Sequence, residues 1–268
     1  MSVTDTVFSG SIASLYDRYL GPLLFQPYAK EIARRAAILD PPRILETAAG
    51  TGIVTEALHR SVLEAEITAI DLDPGMLEIG AQRIRSDKVS CESANALDLP
   101  FTDGSFDLVV CQFGLMFFPD KMKGNAEARR VLRDGGMYMV VVWDELDRNP
   151  ASRIANDAVA ALYPDDPPSF LSRTPFGYAK PKWIERDLRA AGFGRIDIET
   201  VVLKSQPISA RDAAIGLVAG CPLRSEIEER NSRGLQQAID AAANALQRIE
   251  RSGVLDSHLS AHVVTAIK

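Results

Sequence analysis

An apolar strand that ends in a carboxylate and runs into a small-residue loop constrains this chain more than any other feature. The run Arg43-Ile44-Leu45-Glu46-Thr47-Ala48-Ala49-Gly50-Thr51-Gly52 passes from strand to loop, and a helix is predicted from about 53 to 59. About twenty residues on, Ile67-Thr68-Ala69-Ile70-Asp71 repeats the strand-then-acid pattern. This is the layout of a nucleotide-binding βαβ unit. Small residues let the backbone approach a ligand closely, and an acid at the second strand's tip can accept hydrogen bonds from ribose hydroxyls.

Two details argue against a dinucleotide. The nicotinamide fingerprint spaces its glycines G-x-G-x-x-G, and the third allows close helix–strand packing. Counted from Ala48 and Gly50, that third position is Ile53, whose β-branched side chain is too bulky for it. A phosphate-binding Walker loop fails as well, because no Gly-Lys-Ser/Thr follows Gly52. Glu46 is the second detail. A carboxylate just ahead of the loop is a poor neighbour for a pyrophosphate and suits a ligand that carries an ammonium group.

With these residues the chain resembles the class I S-adenosylmethionine-dependent methyltransferases, within them the small-molecule branch typified by the ubiquinone- and menaquinone-biosynthesis methyltransferases. The family's first motif reads acid-x-G-x-G-x-G, and Glu46 to Gly52 matches it with Ala48 at the first glycine, one methyl larger. Asp71-Leu72-Asp73-Pro74-Gly75-Met76-Leu77 resembles the second motif and Asn95-Ala96-Leu97-Asp98-Leu99-Pro100-Phe101 the third, with Asn95 where the family usually has Asp. Ser105 to Val110 followed by Gln112-Phe113-Gly114-Leu115 resembles the fourth strand and its exit, and Arg130 to Gly136 the approach to the fifth. The resemblance covers roughly residues 14 to 145 well and the tail by pattern only.

What it implies is S-adenosylmethionine as cofactor, with cofactor-binding positions at Tyr16, Tyr19, Glu46, Ala48, Gly50, Gly52, Asp71, Leu72, Met76, Asn95, Ala96, Gln112 and Phe113. Glu46 would lie near the methionine end, Gly50 and Gly52 would allow backbone approach at a helix N-terminus, and Asp71 would bind ribose. Leu72 and Met76 would pack on adenine, although Met76 serves equally as a helix core residue. Asn95 and Ala96 would meet the adenine edge. Gln112 either contacts the methionine part or the substrate, or satisfies loop backbone. Phe113, Phe117 and Phe118 gather at one strand exit, where rings can hold a sulfonium by cation–π attraction or pack into the core. Tyr16 and Tyr19 project together from the N-terminal helix, either closing over the cofactor or forming a buried face.

Composition narrows the partners. A formal charge of −6 with no long basic run gives no general pull toward nucleic acid or anionic membrane. Cys91, Cys111 and Cys221 are far apart, so neither a disulfide framework nor a zinc site is expected and no metal is assigned. Met1-Ser2-Val3-Thr4-Asp5 lacks the basic and apolar regions of a signal peptide, no apolar stretch approaches the roughly 20 residues of a membrane helix, and a cytoplasmic protein is the default expectation.

The expected fold is α/β: a Rossmann-like, seven-stranded, mostly parallel sheet with helices on both faces and a helical cap. Strands are predicted at about 43–47, 66–71, 88–92, 106–111 and 136–143, after N-terminal helices over 10–39 that Gly21-Pro22 interrupts. The resemblance implies that the strand near 195–203 pairs antiparallel with a final strand inserted beside the fifth, and His262–Ile267 is the candidate for it. Residues 1–268 read as a single domain, with cap segments at about 145–180 and 205–255; helices are predicted near 151–162, 181–191, 210–219, 223–230 and 235–249.

The expected function is methyl transfer to a small, partly hydrophobic molecule, releasing S-adenosylhomocysteine. The alternatives are a non-catalytic adenosyl-cofactor-binding regulator and an NAD-dependent oxidoreductase, the latter disfavoured by Ile53 and Glu46. The sequence assigns no catalytic acid or base: His59, His258 and His262 fall in no recognisable constellation. The acceptor, the atom methylated and the oligomeric state are not legible.

Overall fold

The computed structural model describes residues 11–268; Met1 to Asp5 and the predicted helix start at residue 10 lie outside the described residues. The strands are β1 (Arg43–Thr47), β2 (Glu66–Asp71), β3 (Val89–Ser93), β4 (Phe106–Gln112), β5 (Leu132–Trp143), β6 (Arg195–Lys204), β7 (Glu250–Arg251), β8 (Val254–Leu255) and β9 (His258–Ile267). Among the described residues, seven of them form one sheet in the order β3-β2-β1-β4-β5-β9-β6, and β7 pairs β8 in a separate hairpin. The β1–β2, β2–β3, β1–β4 and β4–β5 pairs are parallel, and β5–β9 is antiparallel. Phe106 to Cys111 are buried without alternation, as a central strand covered on both faces requires.

The helices in chain order are α1 (Ser11–Leu15), α2 (Gln26–Leu39), α3 (Ile53–Ser61), α4 (Pro74–Arg83), α5 (Lys121–Val131), α6 (Pro150–Ala160), α7 (Phe170–Arg173), α8 (Pro181–Ala190), α9 (Ala210–Ala219), α10 (Leu223–Arg230) and α11 (Leu235–Leu246). From β1 the chain steps outward through α3 and α4 to β2 and β3; from β4 it steps the other way through α5 to β5. Right-handed crossovers in opposite directions place α3 and α4 on one face and α5 on the other. Strand order therefore reverses between β1 and β4, the position where open α/β sheets bind ligands beyond their carboxyl ends.

The chain folds as two compact units. One comprises Tyr28–Trp143, Tyr178–Val201 and Ala261–Lys268 and holds most of the sheet; the other comprises, of the described residues, 11–27, Asp144–Gly177 and Val202–Ser260. In the second, the helices expected as a cap bury Leu217, Val218, Ile239 and Leu246, with α11 packed on α9 and α6.

Three expectations need correction. Gly21-Pro22 does not interrupt the N-terminal helices: both lie inside a π-helical stretch, Tyr16–Phe25, that leads directly into α2. The wider π turn tolerates a residue without an N–H where an α-helix would break. Strand β5 begins at Leu132, so Asp134-Gly135-Gly136 lies within it; the register with β4 passes from Phe106↔Leu132 to Leu108↔Met137, the extra residues accommodated by a bulge with Gly135 at φ +73°. The last strand starts four residues before His262, at His258, and α7 and the β7–β8 hairpin were not anticipated.

Candidate functional site

Parallel pairing brings the ends of β1, β2, β3 and β4 to one edge of the sheet. Glu46, one residue before the end of β1, is in register with Ala69 of β2 and Val110 of β4. Its side chain is only 2% exposed. Thr55, in the first turn of α3, donates its hydroxyl to Glu46 Oε2 at 2.6 Å. Burial pushes the Glu46 carboxyl up to about 8; the Thr55 bond opposes the shift and the nearby Asp71 carboxylate adds to it. Among the described residues no cation pairs with Glu46.

The loop after β1 is fastened to the tip of β2. Gly50 N donates to Asp71 Oδ2 at 2.8 Å, and Asp73 N donates to Asp71 Oδ1 at 2.9 Å. Asp71 thus joins the two strand tips that the sequence singled out. Burial raises its carboxyl above the usual aspartate value, against these backbone donors. Asp73 caps α4 by accepting from Gly75 N at 2.8 Å. Leu72, in the turn between them, is 68% exposed, whereas Met76 is buried and its methyl lies near Gly50.

Gly52 sits at φ +74°, and a Cβ there would meet the Gly80 Cα of α4 at 2.9 Å. Glycine is required at 52 both for that conformation and for that approach. Arg83, at the end of α4, donates Nε to the Thr51 carbonyl and Nη1 to Glu56, each at 3.2 Å. Ala48 and Phe113, at the neighbouring exits of β1 and β4, are non-glycine residues with φ of 54° and 56°. Such left-handed backbone away from glycine stores strain of the kind that gathers at functional sites.

At the tip of β3, Ala94 N donates to the Asp71 carbonyl at 3.1 Å. Asn95 Oδ1 accepts from Leu97 N at 2.9 Å, so its side chain shapes its own turn, and Ala96 follows in that turn. Arg130 of α5 clamps the segment beyond, donating to the carbonyls of Leu99 at 2.9 Å and Phe101 at 2.7 Å and to the carboxylates of Glu127 and Asp103.

Gln112 ends β4. Phe113 is stacked on Trp143 at 3.8 Å between ring centroids and meets Tyr28 edge-on at 5.4 Å, an aromatic cluster in which packing occupies the ring. Phe118 lies against Gly124 of α5. Tyr16 and Tyr19 belong to the other unit, where Tyr16 stacks on Phe25 at 4.7 Å and Tyr19 packs beside Gly216 of α9 under the Arg18 guanidinium.

His262 is fully engaged. Its Nε2 is 2.9 Å from the Ala179 carbonyl and must carry the proton, while its Nδ1 is 3.0 Å from the Thr200 hydroxyl. Among the described residues no cluster of His, Cys, Asp and Glu has an arrangement able to hold a metal.

Sequence reasoning missed Thr55, Gly80, Arg83 and Arg130. Only Gly80 had left a trace, since a glycine inside a helix often marks close backbone approach.

Residues 45–140, the stretch that supplies every one of these strand tips, match the model of the methyltransferase domain family. Over 133 residues the chain is 39% identical to the demethylmenaquinone methyltransferase of Clavibacter sepedonicus, a match spanning 48% of this chain and 54% of that protein. The chain thus spans about half the length of the curated relatives it matches. Among solved structures it is similar to the [4+2]-cyclase SpnF, with TM-score 0.62 and 21% identity over 96% of this chain and 93% of that one. It is also similar to phosphoethanolamine N-methyltransferase 2 of Haemonchus contortus, solved with S-adenosyl-L-methionine, with TM-score 0.61 and 16% identity over 100% of this chain and 60% of that one. At these identities the solved structures speak to the fold alone. The likeness to methyltransferases rests on residues 45–140, the stretch that the domain model matches.

Proposed function

We propose that this chain transfers a methyl group from S-adenosylmethionine to a small, partly hydrophobic molecule and releases S-adenosylhomocysteine. One observation carries the reading: the carboxylates of Glu46 and Asp71 stand at adjacent parallel strand tips, and the amide of Gly50 in the loop after the first strand bonds to Asp71, all within the segment that matches the methyltransferase domain. The residues fit the cofactor. Among the described residues Glu46 is a buried acid with no counter-charge, which favours a cationic ligand group, and Thr51 Oγ1 in the same loop is buried without a hydrogen-bond partner. Leu72 offers an exposed apolar surface beside Asp71.

On this reading Glu46 faces the ammonium end of the cofactor and Asp71 its ribose. The Asp71 oxygens accept the Gly50 and Asp73 amides, and a carboxylate has further lone pairs with which to accept sugar hydroxyls. Asn95 Oδ1 has the same spare capacity toward an adenine amino group, and Ala96 offers backbone to the adenine edge. Gln112 and Ala48 border the methionine part. When bound, the sulfonium supplies a methyl already activated for in-line displacement. The protein then has to align the acceptor and exclude water, and needs little acid–base machinery.

The acceptor belongs to the chemistry named for the relative, a quinol or a similarly apolar ring compound; the net charge of −6 disfavours nucleic acid. No helix of the described residues is long and apolar enough to cross a membrane, and the three free cysteines suit a reducing cytoplasm. The test is transfer of labelled methyl from S-adenosylmethionine to a panel of phenols, amines and quinols. Product from any of them supports the reading. Tight binding of S-adenosylhomocysteine with no transfer to the whole panel would favour a non-catalytic binder.

A further inference from the structure

We infer that uptake of the adenosyl ligand expels one proton from the protein, and that Glu46 is the group that loses it. The inference rests on the cofactor reading and deepens it.

The geometry is that of an acid stored without its charge. Glu46 is almost wholly buried, and its one hydrogen bond among the described residues comes from the Thr55 hydroxyl. Among the described residues no basic group is directed at it. The Asp71 carboxylate at the tip of β2 would repel a charge on it, and Cys91 on β3, whose thiol is raised by burial, brings no positive charge. From α3, Glu56 is taken by Arg60 and Arg83, and His59 lies one turn beyond Thr55. From α4, Arg83 is turned onto Glu56 and the Thr51 carbonyl. A buried carboxylate without a cation neutralises itself by holding a proton, consistent with a carboxyl at about 8.

A ligand ammonium changes that balance. When the amino-acid end enters, the O–H bond of Glu46 breaks, the proton leaves to solvent, and the ammonium becomes the missing counter-charge. At Glu46 itself the ligand ammonium brings one positive charge and proton loss leaves one negative charge, so the two cancel there; the ligand's own carboxylate lies outside this pair. Linkage then makes affinity depend on pH: below the Glu46 titration the ligand must first displace the proton, and binding tightens by about tenfold for each pH unit gained.

The experiment is calorimetric titration of the full chain with S-adenosylhomocysteine at pH 7, in buffers of different ionisation enthalpy. The expected result is release of about nine-tenths of a proton per ligand, together with a roughly tenfold gain in affinity between pH 6 and pH 7. In Glu46→Gln both the release and this slope should disappear, and an analogue lacking the α-amino group should release no proton from the wild type. Thr55→Val removes the hydroxyl that supports the charged form, so it should move the acid limb to higher pH; this variant decides the matter if Glu46→Gln does not bind. Binding without proton release, or release that persists in Glu46→Gln, would overturn the inference while leaving the cofactor reading intact. Absence of any binding by a folded wild type would overturn both.

Discussion

Ala48 replaces the first glycine of the loop motif, and its methyl is accommodated by a glycine on the neighbouring strand exit. A Cβ built on Gly114 would lie 2.4 Å from Ala48 Cβ and 3.1 Å from Cys111 Sγ, where carbon atoms normally stay about 3.5–4.0 Å apart. Gly114 itself has φ −95°, which alanine adopts freely, so backbone strain does not enter. Gly114→Ala should therefore act by overpacking alone and cost about 1–3 kcal/mol. In an Ala48→Gly background the closer of the two contacts is gone and only the sulfur contact remains, so the same substitution should cost about 1 kcal/mol or less. The single Ala48→Gly change relieves a left-handed alanine at φ 54° and pays in unfolded-chain entropy, with a net effect of about 0.5 kcal/mol in favour of folding. A double-mutant cycle by urea unfolding, followed through the fluorescence of Trp143, reads the coupling directly. About 1–2 kcal/mol is expected. Equal costs for Gly114→Ala in the two backgrounds would refute the methyl–methyl contact as the cause.

Three further outcomes follow from the site. Glu46 titrates near 8 when folded against a usual 4.5, so its contribution to stability is fully present below the lower value and is lost as pH rises through the higher one. Ligand-free Glu46→Gln should match wild type near pH 4 and exceed it by about 3 kcal/mol at pH 7; parallel pH curves from denaturant titration would contradict this. Asp71→Ala should weaken S-adenosylhomocysteine binding by roughly 1–3 kcal/mol, and unchanged affinity in a folded variant would mean that the ribose lies elsewhere. Arg130→Ala should cost about 2–3 kcal/mol and speed amide exchange over residues 99–103, whereas a change confined to α5 would disprove the clamp.

The parallel half of the sheet was legible because its strands carry apolar runs with an acid or amide at the tip, at Glu46, Asp71 and Gln112. Local chemistry writes such patterns directly into consecutive residues. The bulge in β5 was not legible, since Asp134-Gly135-Gly136 spells a turn and only the register with β4 shows the strand passing through it. Gly21-Pro22 misled for a similar reason: helix propensity penalises the pair, but the π-helical turn absorbs it. Within the site, sequence motifs marked the residues at strand ends and gave no sign of what braces them. Thr55, Arg83 and Arg130 act across 9, 32 and 31 residues of chain, and nothing local distinguishes them from other polar residues of a helix. Phe113 was read either as a ring near the sulfonium or as core packing, and its stacking on Trp143, which depends on how β4 and β5 are placed side by side, could not be read from consecutive residues.

The seam between Gly52 and Gly80 contains no side chain at all. Most contacts between a helix and a turn can be retuned by trading one side chain for another, but here main chain rests on main chain and no such adjustment exists. The glycine turn can shift only if the whole of α4 shifts, and α4 begins at the very corner, Leu72 and Asp73, that borders Asp71. The two ends of an adenosyl ligand would thus be held by parts that move in gear, and a disturbance at one end would be felt at the other.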